Sequence, residues 1–178
     1  MKIIYFFSAI LFASTRLEAQ LSVDREPHHK VLLQNDYIRL LEGNIPAKDT
    51  TAAHVHAANS VVVFLSHSTF GIRVAGDKPV IATVSPGDVR FVAYGDKPVN
   101  HVVWDEDGPP LRFYVVELAI GRQVRDTSIE VTGHQPYPPA RAHSAHLLIL
   151  PDSRYRFYPP DQPVDWSEPG RCIWLEIY

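Results

Sequence analysis

The chain has 178 residues, 46% of them apolar, and a formal net charge of −3 with neutral histidines. That is length for one ordinary domain with a sizeable core, and the balance excludes both the basic footprint of a nucleic-acid binder and an acidic tail. Fifteen prolines and nine glycines are scattered at turn positions, a distribution that suits many short strands better than long helices.

At the N-terminus, Lys2 is followed by the apolar run IIYFFSAILFA and then by STRLEA. A positive start, a short apolar stretch and a small residue before Gln20 predict a signal peptide over 1–19, cut after Ala19, and a secreted or periplasmic product. Leu17 departs from the small residue preferred three positions before the cut. The run is shorter than the ~20 residues that cross a bilayer, so no membrane span is expected once the segment is removed.

Strand-like runs then follow one another: HKVLLQ, YIRLLEGNI, AAHVHA, SVVVFLS, FGIRVA, VIATV, DVRFVAY, NHVVWD and LRFYVVEL. Turn residues such as ND, PAKD, AGDKP, SPG and DEDGPP separate them. No stretch keeps a helical period over more than two turns, so the pattern predicts an all-β antiparallel sandwich or barrel over 20–120. Alternation along a strand sends His54 and His56 to one face and Val55 to the other. In the next strand Ser60, Val62, Phe64 and Ser66 share a face, and Val61, Val63 and Leu65 share the opposite one. With apolar residues on both faces, that strand is expected to be covered on both sides. A terminal segment or another subunit would supply the second cover.

Residues 121–143 read as turn-like, with an extended QPYPPAR stretch. After them HLLIL, RYRFY, Pro169-Gly170 and RCIWLE follow the order of SVVVFL, FGIRV, Pro86-Gly87 and DVRFVA. Residues 121–178 are therefore read as a linker and a partial second repeat that packs on the barrel or on a partner. Cys172, the one cysteine, is read as a small buried hydrophobe.

Two stretches carry a family resemblance. LLEGNIPAKDTTAAHVHAANSVVVFLSHSTFG resembles the first motif of the cupin superfamily, and SPGDVRFVAYGDKPVNHVVWDEDGPPLRFYVVEL resembles its second. The resemblance covers residues 28–118. It implies a jelly-roll barrel, the double-stranded β-helix, with a metal at the wide end. His54, His56 and His101 match three of the ligand positions residue by residue. The family's glutamate position falls on Ser60, so the usual carboxylate is missing. Three neutral imidazoles suit a divalent transition metal, namely Fe, Zn, Mn, Ni or Cu, and leave positions open for water and substrate. Some cupins resemble this arrangement in using three histidines, among them thiol dioxygenases, but nothing here specifies a thiol.

Phe64, Tyr94, Trp104 and Phe113 are candidates to line a cavity, although aromatic strand residues are core by default. Ser60 is placed to hydrogen-bond a metal-bound water. His67 reads as an exposed turn residue. His28 and His29 are read as lying on a mobile lead-in strand, outside the site. His143 and His146 are three apart, which splits them between faces. Glu42 and Glu117 end strands and read as solvated rim residues that can reach the pocket as acid or base. The function this supports is a secreted cupin whose metal acts on or binds a small molecule, with a dioxygenase-like, isomerase-like or hydrolase-like reaction unresolved. The alternatives are a non-catalytic cupin that binds a sugar or other small ligand, and a structural piece of a homo-oligomer.

Overall fold

The computed structural model describes residues 20–131, 143–167 and 170–178. The expected leader over 1–19, the QPYPPAR stretch and Pro169 lie outside the described residues.

The strands are β1 (Leu21–Ser22), β2 (His29–Gln34), β3 (Ile38–Ile45), β4 (His54–His56), β5 (Ser60–Phe64), β6 (Ser68–Val74) and β7 (Val80–Val84). They continue as β8 (Val89–Val92), β9 (Val99–Asp107), β10 (Leu111–Leu118), β11 (Val124–Val131), β12 (Ala145–Ile149), β13 (Tyr155–Tyr158) and β14 (Gly170–Ile177). A single 3-10 turn, Val23–Arg25, joins β1 to β2. Two five-stranded sheets run in the orders β1-β4-β9-β6-β7 and β2-β3-β10-β5-β8, and a four-stranded sheet runs β11-β14-β12-β13. From β3 to β10 the chain places β3, β5, β8 and β10 in one sheet and β4, β6, β7 and β9 in the other. This is the strand exchange of a jelly roll. The all-β architecture read from the runs of alternating residues is the observed one. Among the described residues no helix is long and apolar enough to cross a membrane.

The register of β5 against β10 sets Ser60 opposite Glu117, Val62 opposite Val115 and Phe64 opposite Phe113. One face of this strand pair builds the barrel interior, where Phe64, Phe113 and Val115 join Leu41, Phe70 and Val103. The other face puts Val61, Val63 and Val116 against Leu147, Ile173 and Leu175 of the four-stranded sheet, with Leu65 packed at the edge. The central sheet is thus buried on both sides, as its doubly apolar strands require. Gly43 in β3 is demanded by this packing, since a Cβ there would stand 2.2 Å from the Phe113 ring.

Residues 124–131 are a strand, and the turn-like reading of 121–143 is corrected there. VRDTSIEV carries charged residues among its β-branched ones, which weakened its apolar signal. Pairing along its whole length with β14 supplies the backbone hydrogen bonds that make it a strand. In the C-terminal segment β12 pairs antiparallel with β14, as β5 does with β8. However, β12 and β13 form one hairpin, whereas β5 and β6 lie in different sheets.

The interface between the central and C-terminal sheets is built mainly of aliphatic side chains, and each fully buried one contributes about 1.5–3 kcal/mol. Leu175→Ala, at a position with no solvent exposure, is expected to cost about 2–5 kcal/mol in urea unfolding. Ile81→Ala, at a side chain 53% exposed, is expected to cost less than about 0.5 kcal/mol. Equal costs would show that the third sheet does not stabilise the barrel.

Candidate metal centre

Strand alternation puts His54 and His56 on the interior face of β4, and the register of β4 with β9 sets His54 directly opposite His101. All three are buried. Their ring centroids lie 4.6 Å apart for His54 and His101, 5.0 Å for His56 and His101, and 5.2 Å for His54 and His56. The structure therefore brings together the three histidines that the sequence motifs single out.

A fourth histidine joins them. His29 is buried, its ring 4.9 Å from that of His54, and ligand atoms of His29, His54 and His56 lie within 4.8 Å of one another. The reading of His29 as part of a mobile strand outside the site is corrected. The cause is a bulge between Val31 and Leu33 that shifts the β2–β3 register. Counting back from the Asn35–Asp36 turn, where Gln34 pairs with Arg39, would set His29 opposite Asn44. The bulge sets it opposite Gly43 instead, and a shift of one residue exchanges the two faces of a strand.

Hydrogen bonds settle the tautomers of two rings. His54 Nδ1 lies 2.8 Å from the Ala52 carbonyl oxygen; it must donate there, which leaves the Nε2 lone pair for the site. His29 Nδ1 donates to Glu26 Oε2 at 2.7 Å, with the same consequence. Glu26 is itself buried and also accepts from the His28 backbone N–H (2.8 Å), the His28 ring (2.9 Å) and the Ala52 backbone N–H (3.1 Å). Burial works to raise its pKa, but the bonds from His29 and His28 prevail and hold it at about 2. His28 is pulled the other way. Burial opposes its charge, yet with Glu26 on one ring nitrogen and Asp49 on the other at 3.1 Å, its pKa is raised. Burial lowers the His54 pKa to about 4 and the His101 pKa to about 3, and the neighbouring imidazoles add to both shifts. His29 is likewise lowered by burial, against Glu26.

His54 Nε2 and His101 Nε2 are 3.1 Å apart, and His101 Nδ1 is buried without a partner. Two nitrogens bound to one ion at about 2.1 Å stand about 3.0–3.4 Å apart for openings between a right angle and the tetrahedral angle. The buried trio whose ligand atoms converge is His29, His54 and His56, with His101 Nε2 beside His54, and such a set of imidazoles fits a divalent transition metal.

The remaining candidates fall into place around these rings. Tyr94 lies 5.6 Å from His56 and 6.4 Å from His101, and burial raises its pKa. Phe64 and Phe113 form part of the apolar wall of a cavity of about 150 Å3 whose lining also includes His29, His56, His101 and Tyr94. Ser60 is buried and donates to the Ala58 carbonyl at 2.8 Å, so its hydroxyl is engaged in the backbone rather than presented to a bound water. Trp104 is on the outer face of β9, opposite Gly71, and does not line the cavity. Its Nε1–H donates to Glu106. Glu42 is on the outer face with Arg112. Glu117, read from sequence as a rim residue, is buried, with Oε2 2.5 Å from Arg39 Nε and Oε1 3.7 Å from His56 Nδ1. His67 sits at the surface beside Ser85. His143 is exposed near Asp161, while His146 is buried and stacked on Trp174. Cys172 is buried and its thiol is pushed up to about 11, which makes it unreactive.

No family model matches the chain, and no curated protein matches it. Among solved structures it is similar to a cupin domain from Bordetella pertussis Tohama I, at 18% identity over 56% of this chain and 96% of that one, with a TM-score of 0.47. It is also similar to an RmlC-like cupin with a double-stranded β-helix fold from Methanocaldococcus jannaschii, at 13% identity, 67% and 92% coverage and a TM-score of 0.43. A third is the polyketide cyclase RemF from Streptomyces resistomycificus, at 21% identity, 66% and 79% coverage and a TM-score of 0.40. Such likeness speaks to fold alone. The deciding observation is the chain's own strand order, with the paired histidines on β4 facing the third on β9. This chain has the cupin fold. In this fold the imidazole cluster sits inside the barrel formed by the jelly roll, and β2 adds one histidine to it.

The depressed histidines make the metal-free protein sensitive to acid. A group whose folded pKa lies below its unfolded value stabilises the fold above the unfolded value and loses that contribution as pH falls. For His54 and His101 the loss begins near pH 6.5 and continues through about 4 and about 3. Glu26 adds a loss between about 4.5 and about 2. His28, with a raised pKa, acts in the opposite sense but is one group against several. The urea midpoint of the metal-free protein is expected to fall between pH 7.5 and pH 4, and to fall less in His101→Gln. A midpoint that rises on acidification would contradict the burial of neutral rings.

Proposed function

We propose that this chain is a secreted metal-dependent cupin in which His54, His56 and His101, with His29 beside them, hold a divalent transition metal that binds or acts on a small, largely apolar molecule. The observation that carries the reading is the 3.1 Å approach of the His54 and His101 Nε2 atoms, with one ring fixed by a carbonyl so that its lone pair faces the other. A divalent ion held there supplies Lewis acidity to a coordinated oxygen or nitrogen atom, and a redox-active ion also supplies electrons. The chain's own residues do the rest. Phe64, Phe113 and their aliphatic neighbours exclude water from the cavity and favour an apolar body. Tyr94, kept protonated by its raised pKa, brings a phenol ring into the cavity wall beside His56 and His101. Glu26 holds the His29 ring in one orientation.

Metal analysis after reconstitution is expected to find about one ion per chain in wild type. His54→Ala and His101→Ala are each expected to lose affinity by about 100-fold or more, since each removes a direct donor where even outer partners matter ~10–100-fold. A wild-type protein that stays metal-free would overturn the reading. Metal binding without turnover of small apolar substrates under air would favour a ligand-binding cupin over an enzyme.

The leader reading supports the secreted placement, because Lys2 and the apolar run to Ala13 precede a small residue at Ala19. N-terminal sequencing of full-length protein from a secreting host is expected to begin at Gln20, and a start at Met1 would refute it.

A further inference from the structure

One side of the barrel is open, and a guanidinium stands in the opening. β7 and β8 are the end strands of their two sheets and do not pair with each other. Along this seam the imidazole-lined cavity is walled by Val80 and Ala82 of β7 and by Arg90 and Val92 of β8, and Val80 is 59% exposed. The β5–β8 register sets Arg90 opposite Val62. Alternation therefore gives Arg90 the interior face on which Val62 and Phe64 line the cavity, a position where an apolar residue is expected unless function requires otherwise. Solvent reaches Arg90 through the seam, which keeps its charge hydrated. Among the described residues it makes no hydrogen bond or ion pair, and its close partner is the Phe64 ring, whose centroid lies 5.4 Å from Cζ. No aspartate or glutamate is among the lining residues. From Phe64 the aromatic wall continues inward, 6.3 Å to the Phe113 ring and from there 5.6 Å to the ring of His29.

We propose that Arg90 sets the specificity of this cavity and that its ligand is an acid, a small molecule with an apolar body and one carboxylate. The carboxylate accepts paired N–H bonds from the guanidinium at the seam, and the body lies along Phe64 and Phe113 toward the histidines. A planar monoanion suits a single guanidinium. A phosphate dianion would call for a second cation, and Arg90 is the one arginine or lysine among the lining residues. A guanidinium already held over a ring loses little side-chain freedom when the acid binds. Apolar walls without a competing acid strengthen the attraction as water leaves. The inference deepens the reading of this cavity as the ligand site and rests on it, while the carboxylate contact itself needs no ion.

The test is calorimetric titration of 3-phenylpropanoate and of the straight-chain acids from butanoate to octanoate, each against its primary amide, into metal-free protein and into protein loaded with Zn(II). Wild type is expected to prefer at least one acid over its amide by about 10–100-fold, with or without Zn(II). Arg90→Gln is expected to lose that preference and keep the amide affinity. Arg90→Lys, which keeps the charge without the fork, is expected to retain part of it, and Arg73→Gln, at an exposed position on β6, to match wild type. Wild type that prefers no acid of the series overturns the inference, and so does a preference that Arg90→Gln retains. A preference that appears only with Zn(II) and survives Arg90→Gln puts the carboxylate on the ion; the inference then fails and the metal reading stands. Protein that takes up no Zn(II) but prefers acids through Arg90 has the opposite meaning. Inward charges also protect edge strands such as β8 from pairing with other chains. If Arg90 does only that, Arg90→Gln will associate in sedimentation yet bind acids and amides as wild type does, and the proposal fails. Circular dichroism establishes folding, and should Arg90→Gln misfold, Arg90→Met, which keeps the stem over Phe64, decides by the same criterion.

Discussion

Burial holds the imidazoles of His29, His54 and His101 below their usual pKa inside one barrel, and much of the local structure follows from that constraint. Desolvation and mutual repulsion keep protons off His54 and His101. The proton each ring retains needs an acceptor that does not compete for the inward lone pair. The Ala52 carbonyl serves His54 and the Glu26 carboxylate serves His29. Glu26 in turn is held at a pKa of about 2 by the bonds it accepts from His29 and His28. His28, whose pKa is raised, stands one layer out from the rings, where Asp49 also meets it. With these acceptors in place His54 and His29 turn an Nε2 lone pair inward, and in the metal-free protein the His101 Nε2–H donates to that of His54 at 3.1 Å.

The central sheet carries this site on one face and a hydrophobic seam on the other. β3, β5 and β10 alternate between the two, so each odd or even choice along a strand assigns a residue to chemistry or to packing. Val62, Phe64, Phe113 and Val115 wall the cavity, while Val61, Val63 and Val116 meet the C-terminal sheet. A sheet clamped on both faces resists bending, and rigid support is what holds donor atoms within coordination distance. The C-terminal sheet therefore bears on the site although none of its described side chains belongs to it. Its His146 is turned away against Trp174.

Much of this was legible along the chain. The alternating runs, the turn residues between them and the doubly apolar SVVVFLS predict a β barrel with an outer cover. The HVH pair and the histidine after the Pro-Gly turn point to a shared site, because two alternate positions on one strand and one on its partner converge without any long-range accident. Two of the corrected readings have specific causes. VRDTSIEV is a strand because β14 lies alongside it, and charged residues hid its alternation. Glu117 reads as a strand-end rim residue, yet its parity with Val115 and the closure of the barrel bury it.

The sequence alone determined the alternation of side chains, the strands that needed covering on both faces, and the three histidines of the two motifs, because these depend on spacing along a single strand. Only the tertiary structure decided that His29 faces inward and that a carboxylate stands across from Ser60. The first depends on a bulge that reverses the faces of β2, and the second on the register between β5 and β10. Both are relations between strands, set by packing rather than by the order of residues within either one.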